Sequence, residues 1–494
     1  MSPLLLLTVV LAYFALLLGV AWWSSRAADN QSFFIGNRNS NWGLVAFGMV
    51  GTSLSGVTFI SVPGAVGGSA FSYFQIVLGQ FLGYAVIAFV LLPLYYRLQL
   101  TSIYHYLGQR LGPRSYQTGA GFFILSRTLG ATARLYLVVK ILQEALLDSF
   151  GLPFWLTALV ILLMILAYTY EGGVKTIVWT DTLQTSGMLL GLLVCVTYLL
   201  QALDLEFGQS LQRLHETGLS QVFVGDPMSR LFWGKQILAG MFIAIAMTGM
   251  DQEMMQKNIS VKRLADSQKN VMVLATIMLG VVLLFLFLGG LLQLFATQQG
   301  MAARGDDLFA AVVLQYLPAW VQLVFIIALI SALFPSADGA ITALTSSFCI
   351  DLLGLQRRQD WDEARKLAVR KRVHLAFAAL FLLLVMVFKW VNDPSMIGLI
   401  LKLAGYTYGP LLGLFAFGML SRRAVLDAWV PAVAVAAPLL CWLLDSRQRN
   451  WFGGYELGLE LLLINGLLTF AGLWLVSRPQ PSNLVSSAVR QPSA

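Results

Sequence analysis

The chain has 494 residues, 58% hydrophobic and only 11% charged, with a net charge of +8 and a mean hydropathy of +0.76. Soluble domains carry about 25% charged residues, so a water-soluble globule is excluded. Apolar runs of about 20 residues, each long enough to cross roughly 30 Å of hydrocarbon, recur from end to end. The chain therefore reads as an all-α polytopic membrane protein, because lipid cannot satisfy open backbone groups.

The first run, Leu4 to Trp23, lacks a basic leader and an Ala-x-Ala cleavage site and reads as a retained helix. In all, about thirteen transmembrane helices are expected. They lie near 3–24, 42–64, 71–98, 117–148, 153–171, 174–202, 233–255, 268–298, 318–350, 370–391, 395–420, 425–445 and 455–477. An odd number puts the termini on opposite faces. With the N-terminus outside and the C-terminus cytoplasmic, about 21 Lys/Arg fall inside against about 7 outside. Lys257, Lys262 and Arg263 belong to that inner set. The positive charge thus reads as topology in a cell membrane and contact with lipid, and no nucleic-acid partner is expected. The sequence leaves the oligomeric state open.

Chemistry is scarce. The three cysteines, Cys195, Cys349 and Cys441, sit in apolar segments as small hydrophobes. No phosphate-binding Gly-x-x-x-x-Gly-Lys-Ser/Thr loop is present, and His105, His215 and His374 stand in no metal-binding arrangement. An enzyme and an ATP-driven pump are both excluded, and no cofactor is implied.

What remains is a set of polar groups at membrane depth, which are costly and face a cavity or one another. The second span carries Gly51, Thr52, Ser53, Leu54, Ser55, Gly56, Thr58, Pro63 and Gly64. Glycine and proline weaken the helix, and an unwound segment offers carbonyl oxygens at the depth where transporters bind ions and solute. Close packing through small residues is the plainer alternative. The seventh span has a matching interruption, Ala246 to Gln252 with Thr248, which suggests two inverted repeats. The ninth holds Ser331, Ala332, Pro335, Ser336, Asp338 and Gly339, and Pro335 frees the Ser331 carbonyl from its helical bond. Asp181, in the sixth span, needs a partner; an interfacial bridge to Lys175 is one option. Arg127 and Arg134 lie in the fourth span, with Arg134 nearer its middle. Arg134 either pairs with an internal carboxylate or meets an anionic solute, and Gln80 is a weaker candidate of the same kind.

Six motifs in order resemble those of the sodium/solute symporters, the family of bacterial sialic acid, proline and sugar sodium symporters. They are Phe33 to Arg38, Gly51 to Gly64, Leu100 to Gly112, the Trp179-Thr-Asp-Thr-Leu-Gln184 stretch with its preceding Gly172-Gly173, Pro335 to Gly339, and Gly409 to Phe415. The resemblance implies a LeuT-type core of two inverted five-helix repeats. It divides the chain into 1–41, an extra helix and inner loop; 42–202 and 233–420, the repeats; 203–232, an external loop; and 421–494, two helices and a short tail. It implies a main sodium site from the carbonyls of Gly51, Leu54 and Ala332 and the hydroxyl of Ser336. The family's second hydroxyl is replaced here by Pro335, so the Ser331 carbonyl or a water is expected instead. Asp181 matches a ligand of a second sodium found in some members, whose serines are replaced here by Asp338 and Gly339. These three residues are expected to form a second cation or proton site. The solute is expected beside Ser53, Ser55, Thr58, Gln80 and Thr248. The arginine that meets the carboxylate in sialic acid symporters aligns with Gly130, about one turn from both Arg127 and Arg134.

The expected function is sodium-coupled import of a small polar solute by alternating access: a sugar, a sialic acid or other small carboxylate, or an amino acid. A solute sensor and a passive channel are the alternatives. The short polar tail after Ser477 disfavours the first, and paired broken helices disfavour the second.

Overall fold

The computed structural model describes residues 3–24, 40–391, 395–451, 453 and 455–479. The Phe33–Arg38 motif, the Lys175 side chain and Arg490 lie outside the described residues. In chain order the helices are α1 (Pro3–Ser24), α2 (Trp42–Ser53) and α3 (Gly56–Ser69). α4 (Tyr73–Arg97) follows, and then α5 (Pro113–Leu142) and α6 (Phe154–Ala202). The next group is α7 (Trp233–Ala244), α8 (Gln252–Ile259), α9 (Leu264–Gln298) and α10 (Asp306–Tyr316). The chain continues with α11 (Ala319–Ser347), α12 (Glu363–Val391), α13 (Met396–Thr407) and α14 (Gly409–Leu420). It closes with α15 (Val430–Trp451) and α16 (Leu461–Leu475). The only strands among the described residues are two-residue stubs, Ala424–Val425 paired antiparallel with Ser477–Arg478.

Seven helices among the described residues are long and apolar enough to cross a membrane, and nine if each of two bent pairs counts once. Three shorter apolar helices accompany them.

α6 runs for 49 residues, about 73 Å if straight. Its contacts require it to double back. Phe154 lies under the Lys389 ammonium and Thr169 against His374, so the first half runs antiparallel to α12. In the second half Gly187 meets Ser331 and Tyr198 meets Trp320, antiparallel to α11. Lys140 links Asp307, just before Trp320, to the end of α5, which packs on Phe154 through Tyr136. Both ends of α6 therefore lie on one side, and it supplies two crossings.

The helix break between α2 and α3 is local and complete. Leu54 (φ −91°, ψ 76°) and Ser55 (φ −69°, ψ 170°) leave the helical region, and the two halves meet at 55°. Gly56 allows the break to press on α5, since a Cβ there would lie 2.3 Å from Cγ2 of Val138. The second interruption passes from α7 through a wide turn at Ile245–Gly249 to Asp251, whose carboxylate caps α8 by accepting from the Glu253 and Met254 amides. A third bend, of 44°, separates α13 from α14 at Tyr408.

α4 and α7 are in backbone contact. A Cβ at Gly79 would fall 2.0 Å from the Ile237 carbonyl oxygen, and one at Gly240 2.1 Å from that of Ile76. In lipid, where hydrophobic burial gives helices little reason to associate, such small-residue seams supply the attraction. Gly240→Leu is expected to destabilise the protein by about 1–3 kcal/mol through overpacking. Thermal unfolding in detergent checks this, with Gly68→Ala, a site with no neighbour within 4 Å, as an unaffected control.

Candidate functional site

The two breaks and the middle of α5 enclose a cavity of about 110 Å³. All seven residues expected to meet solute line it: Ser53, Ser55, Thr58, Gln80, Arg127, Arg134 and Thr248. The sequence reading missed the parts of the wall formed by Ile397, Ile400 and Leu401 of α13, by Met278 and Val282 of α9, and by Tyr73 and Tyr84 of α4. α13 reads as an ordinary apolar span, and no local feature marks its cavity face.

The two arginines have different fates. Arg127 is buried and its guanidinium is paired with Glu253 and lies 4.0 Å from Asp251. The Tyr408 hydroxyl donates to that same Asp251 oxygen, Oδ2, at 2.7 Å. Arg127 is thus neutralised by the protein. Arg134 makes no ion pair among the described residues and borders the cavity. Long side chains on a helix lean towards its N-terminus. Arg134 does so, and its Nη1 comes within 3.7 Å of where a Cβ of Gly130 would be. The missing side chain at 130 leaves the space that this guanidinium covers.

The first break has free oxygens. Among the described residues no hydrogen bond reaches the carbonyls of Gly51 or Leu54, because the helix ends before their donors arrive. The Ala332 carbonyl stands opposite, 3.8 Å from the ideal Cβ position of Gly56. Ser336 donates its hydroxyl proton to the Leu333 carbonyl at 2.9 Å, which leaves its lone pairs for a cation. The Ser331 hydroxyl is engaged with Tyr13 and the Ile327 carbonyl, both at 2.7 Å, so only its main-chain oxygen is available. Leu54, Ala332, Ser331 and Ser336 are all buried. The second break differs: Tyr95 and Tyr104 donate to the Gly249 and Met250 carbonyls at 2.8 and 2.9 Å. Its oxygens are satisfied by protein.

Asp181 is buried, and its Oδ2 accepts from the Lys257 ammonium at 2.7 Å and from Thr52 at 3.1 Å. Among the described residues its Oδ1 has no hydrogen-bond partner, and neither does either polar atom of the buried Gln184 one turn along. Asp338 is wholly buried and lies close enough for its charge to act on Lys257. Gly339 faces Glu253, whose Oε1 is 2.4 Å from where a Cβ would sit. Asp181, Asp338 and Gly339 therefore border one buried charged layer. The assignment of Lys257 to an inner loop is corrected: it is 3% exposed and is the partner Asp181 needs. Its charge-rich neighbourhood, Asp251 to Arg263, depresses local hydropathy and imitates a loop. The signal available was Glu253 and Lys257 at helical i,i+4 spacing directly after an interruption.

The match to known proteins follows the same geometry. The model of the sodium:solute symporter family matches residues 33–427. The chain belongs to the sodium:solute symporter family. It is 22% identical over 455 residues to the sodium/sialic acid symporter NanT of Aliivibrio fischeri, covering 90% of this chain and 88% of that one. It is also 22% identical over 476 residues to the sodium/sialic acid symporter SiaT of Proteus mirabilis, covering 93% and 94%. A solved substrate-bound, outward-open Na+-coupled sialic acid symporter superposes with a TM-score of 0.81 at 18% identity, covering 96% of this chain and 99% of that one. The fold is the LeuT type, and this symporter is a multi-pass secondary transporter that couples sodium to a small solute, not an enzyme.

Removing one partner of a buried pair leaves an uncompensated charge at a cost of about 3–5 kcal/mol. Arg127→Gln in this symporter is expected to lose about that much stability. Arg127→Gln/Glu253→Gln is expected to regain most of it in the same thermal-unfolding assay.

Proposed function

We propose that the cargo of this symporter is a small organic anion, carried with sodium into the cell, and that Arg134 holds its carboxylate. The observation that carries this reading is the Arg134 guanidinium, which borders the cavity without an ion pair among the described residues. A guanidinium presents its donors in a planar fork that fits a carboxylate bidentately. The sialic acids carried by two relatives, NanT and SiaT, are carboxylates of this kind. Their arginine position corresponds to Gly130, and the lean of Arg134 returns a guanidinium to that space from one turn further on. Ser53, Ser55, Thr58, Gln80 and Thr248 supply hydroxyl and amide groups for the rest of the solute.

Sodium binds at the first break in this reading. The Gly51, Leu54 and Ala332 carbonyls and the Ser336 hydroxyl hold it, and the Ser331 carbonyl freed by Pro335 stands in for the missing family hydroxyl. Its ligands come from α2 and α11, so an ion there favours the arrangement in which those helices are close. Solute contacts Ser53 and Ser55 at the same break, so ion and solute stabilise one conformation, which is what coupling requires. The orientation, with the N-terminus outside, rests on the distribution of Lys and Arg.

The test is uptake into proteoliposomes of a panel of small carboxylates, sugars and amino acids under a sodium gradient. Carboxylates are expected to be taken up and neutral sugars not. Arg134→Gln is expected to weaken apparent affinity about 10- to 100-fold, the value of a charge-assisted hydrogen bond of about 1.5–3 kcal/mol. Transport of an uncharged solute that survives Arg134→Gln overturns the reading. Ser336→Ala, which removes one oxygen worth about 1 kcal/mol, is expected to raise the sodium concentration for half-maximal uptake about 3- to 10-fold.

A further inference from the structure

Lys257 has no part in the solute cavity or in the sodium site at the first break. It is nonetheless one of the most deeply placed charges of the chain, on a helix whose eight residues, Gln252–Ile259, are all buried. An ammonium is a monovalent cation with three donors. Here two meet oxygen: Oδ2 of Asp181 at 2.7 Å and Oγ1 of Thr52 at 2.8 Å. Oε1 of Glu253 lies 3.8 Å away, and Asp338 is close enough to act on the same charge. We propose that the Lys257 ammonium is a built-in coupling cation, occupying the monovalent-cation position at Asp181 so that no second sodium ion binds there. This rests on the symport reading above, in which one sodium binds at the first break.

Several features of the site agree. A free ion on Oδ2 of Asp181 would stand beside a fixed positive charge at a buried site, where screening is weak. Asp181, Glu253 and Asp251 each already stand within 4.0 Å of a fixed base, Lys257 or Arg127. Gly339 gives no side-chain oxygen, and the space where its side chain would be is held by the Glu253 carboxylate. That carboxylate is committed to Arg127.

The position of the ammonium gives it a mechanical meaning as well. Thr52 and Asp181 belong to α2 and α6, whereas Lys257 belongs to α8 beyond the second break. The lysine therefore ties the two interrupted segments together two residues before the Leu54 break and beside a cavity-lining hydroxyl. A sodium ion would leave such a site for the cytoplasm at every turnover. A tethered ammonium stays, and each opening of α8 away from α6 must separate it from Asp181 without releasing an ion.

The deciding experiment counts radiolabelled sodium bound per purified polypeptide in detergent, without solute. Wild type is expected to bind one ion, with affinity weakened about 3- to 10-fold in Ser336→Ala. Lys257→Gln is expected to bind two, and Asp181→Asn/Lys257→Gln to return to one with affinity within about threefold of wild type. Two ions in wild type, or one ion in a folded Lys257→Gln protein, overturns the proposal. If Lys257→Gln does not fold, the uncharged double variant decides: one ion at wild-type affinity supports the proposal, and fewer ions than wild type overturns it. Unchanged sodium affinity in Ser336→Ala would instead overturn the assignment of the first-break site, a result separate from the count gained on removing the lysine.

Discussion

Every main-chain oxygen at membrane depth must be met by a donor or a cation, because the surrounding hydrocarbon offers neither. The chain has two interrupted crossings and answers this constraint in two ways. At Gly249 and Met250 tyrosine hydroxyls fill the gap, so that segment is closed within the protein. At Gly51 and Leu54 no donor among the described residues does, although both residues are buried. In the proposed reading the break at Gly249 and Met250 is a fixed joint, and the break at Gly51 and Leu54 is a binding element completed by the sodium ion it carries.

Charge follows the same logic. The polar layer between the breaks holds carboxylates and bases that would each be prohibitive alone. Arg127 is held between Glu253 and Asp251, Lys257 between Asp181 and Thr52, and Tyr408 adds a donor from the bend between α13 and α14. This network spans α2, α5, α6 and α8, so the two halves of the core are joined through electrostatics at one level. Arg134 makes no ion pair with that network among the described residues and borders the cavity, where the proposed carboxylate would meet it.

Much of this was legible in the sequence. Glycines, hydroxyls and a proline inside an apolar run located the first break, and all seven residues expected to meet solute line one cavity. The motifs carried the family, because spacing along a helix survives divergence to 22% identity. The parts that escaped share a cause. Lys257 and Glu253 were hidden because hydropathy averages a window and cannot distinguish a charged segment in water from one paired inside protein. The sorting of Arg127 from Arg134 depended on Glu253, which lies 126 positions from Arg127 in sequence and only meets it in the fold. The α13 wall was invisible because an apolar residue facing a cavity looks like one facing lipid.

The seam between α4 and α7 restricts how the molecule can move. With Gly79 and Gly240 each pressed on the opposing backbone, there is no layer of side chains between the two helices to act as a lubricant. Sliding of one along the other would drive carbonyl oxygens into Cα atoms within a fraction of a helical turn. The pair must then travel as a single strut, and the flexing needed to expose the cavity first to one compartment and then to the other falls on the joints at its ends.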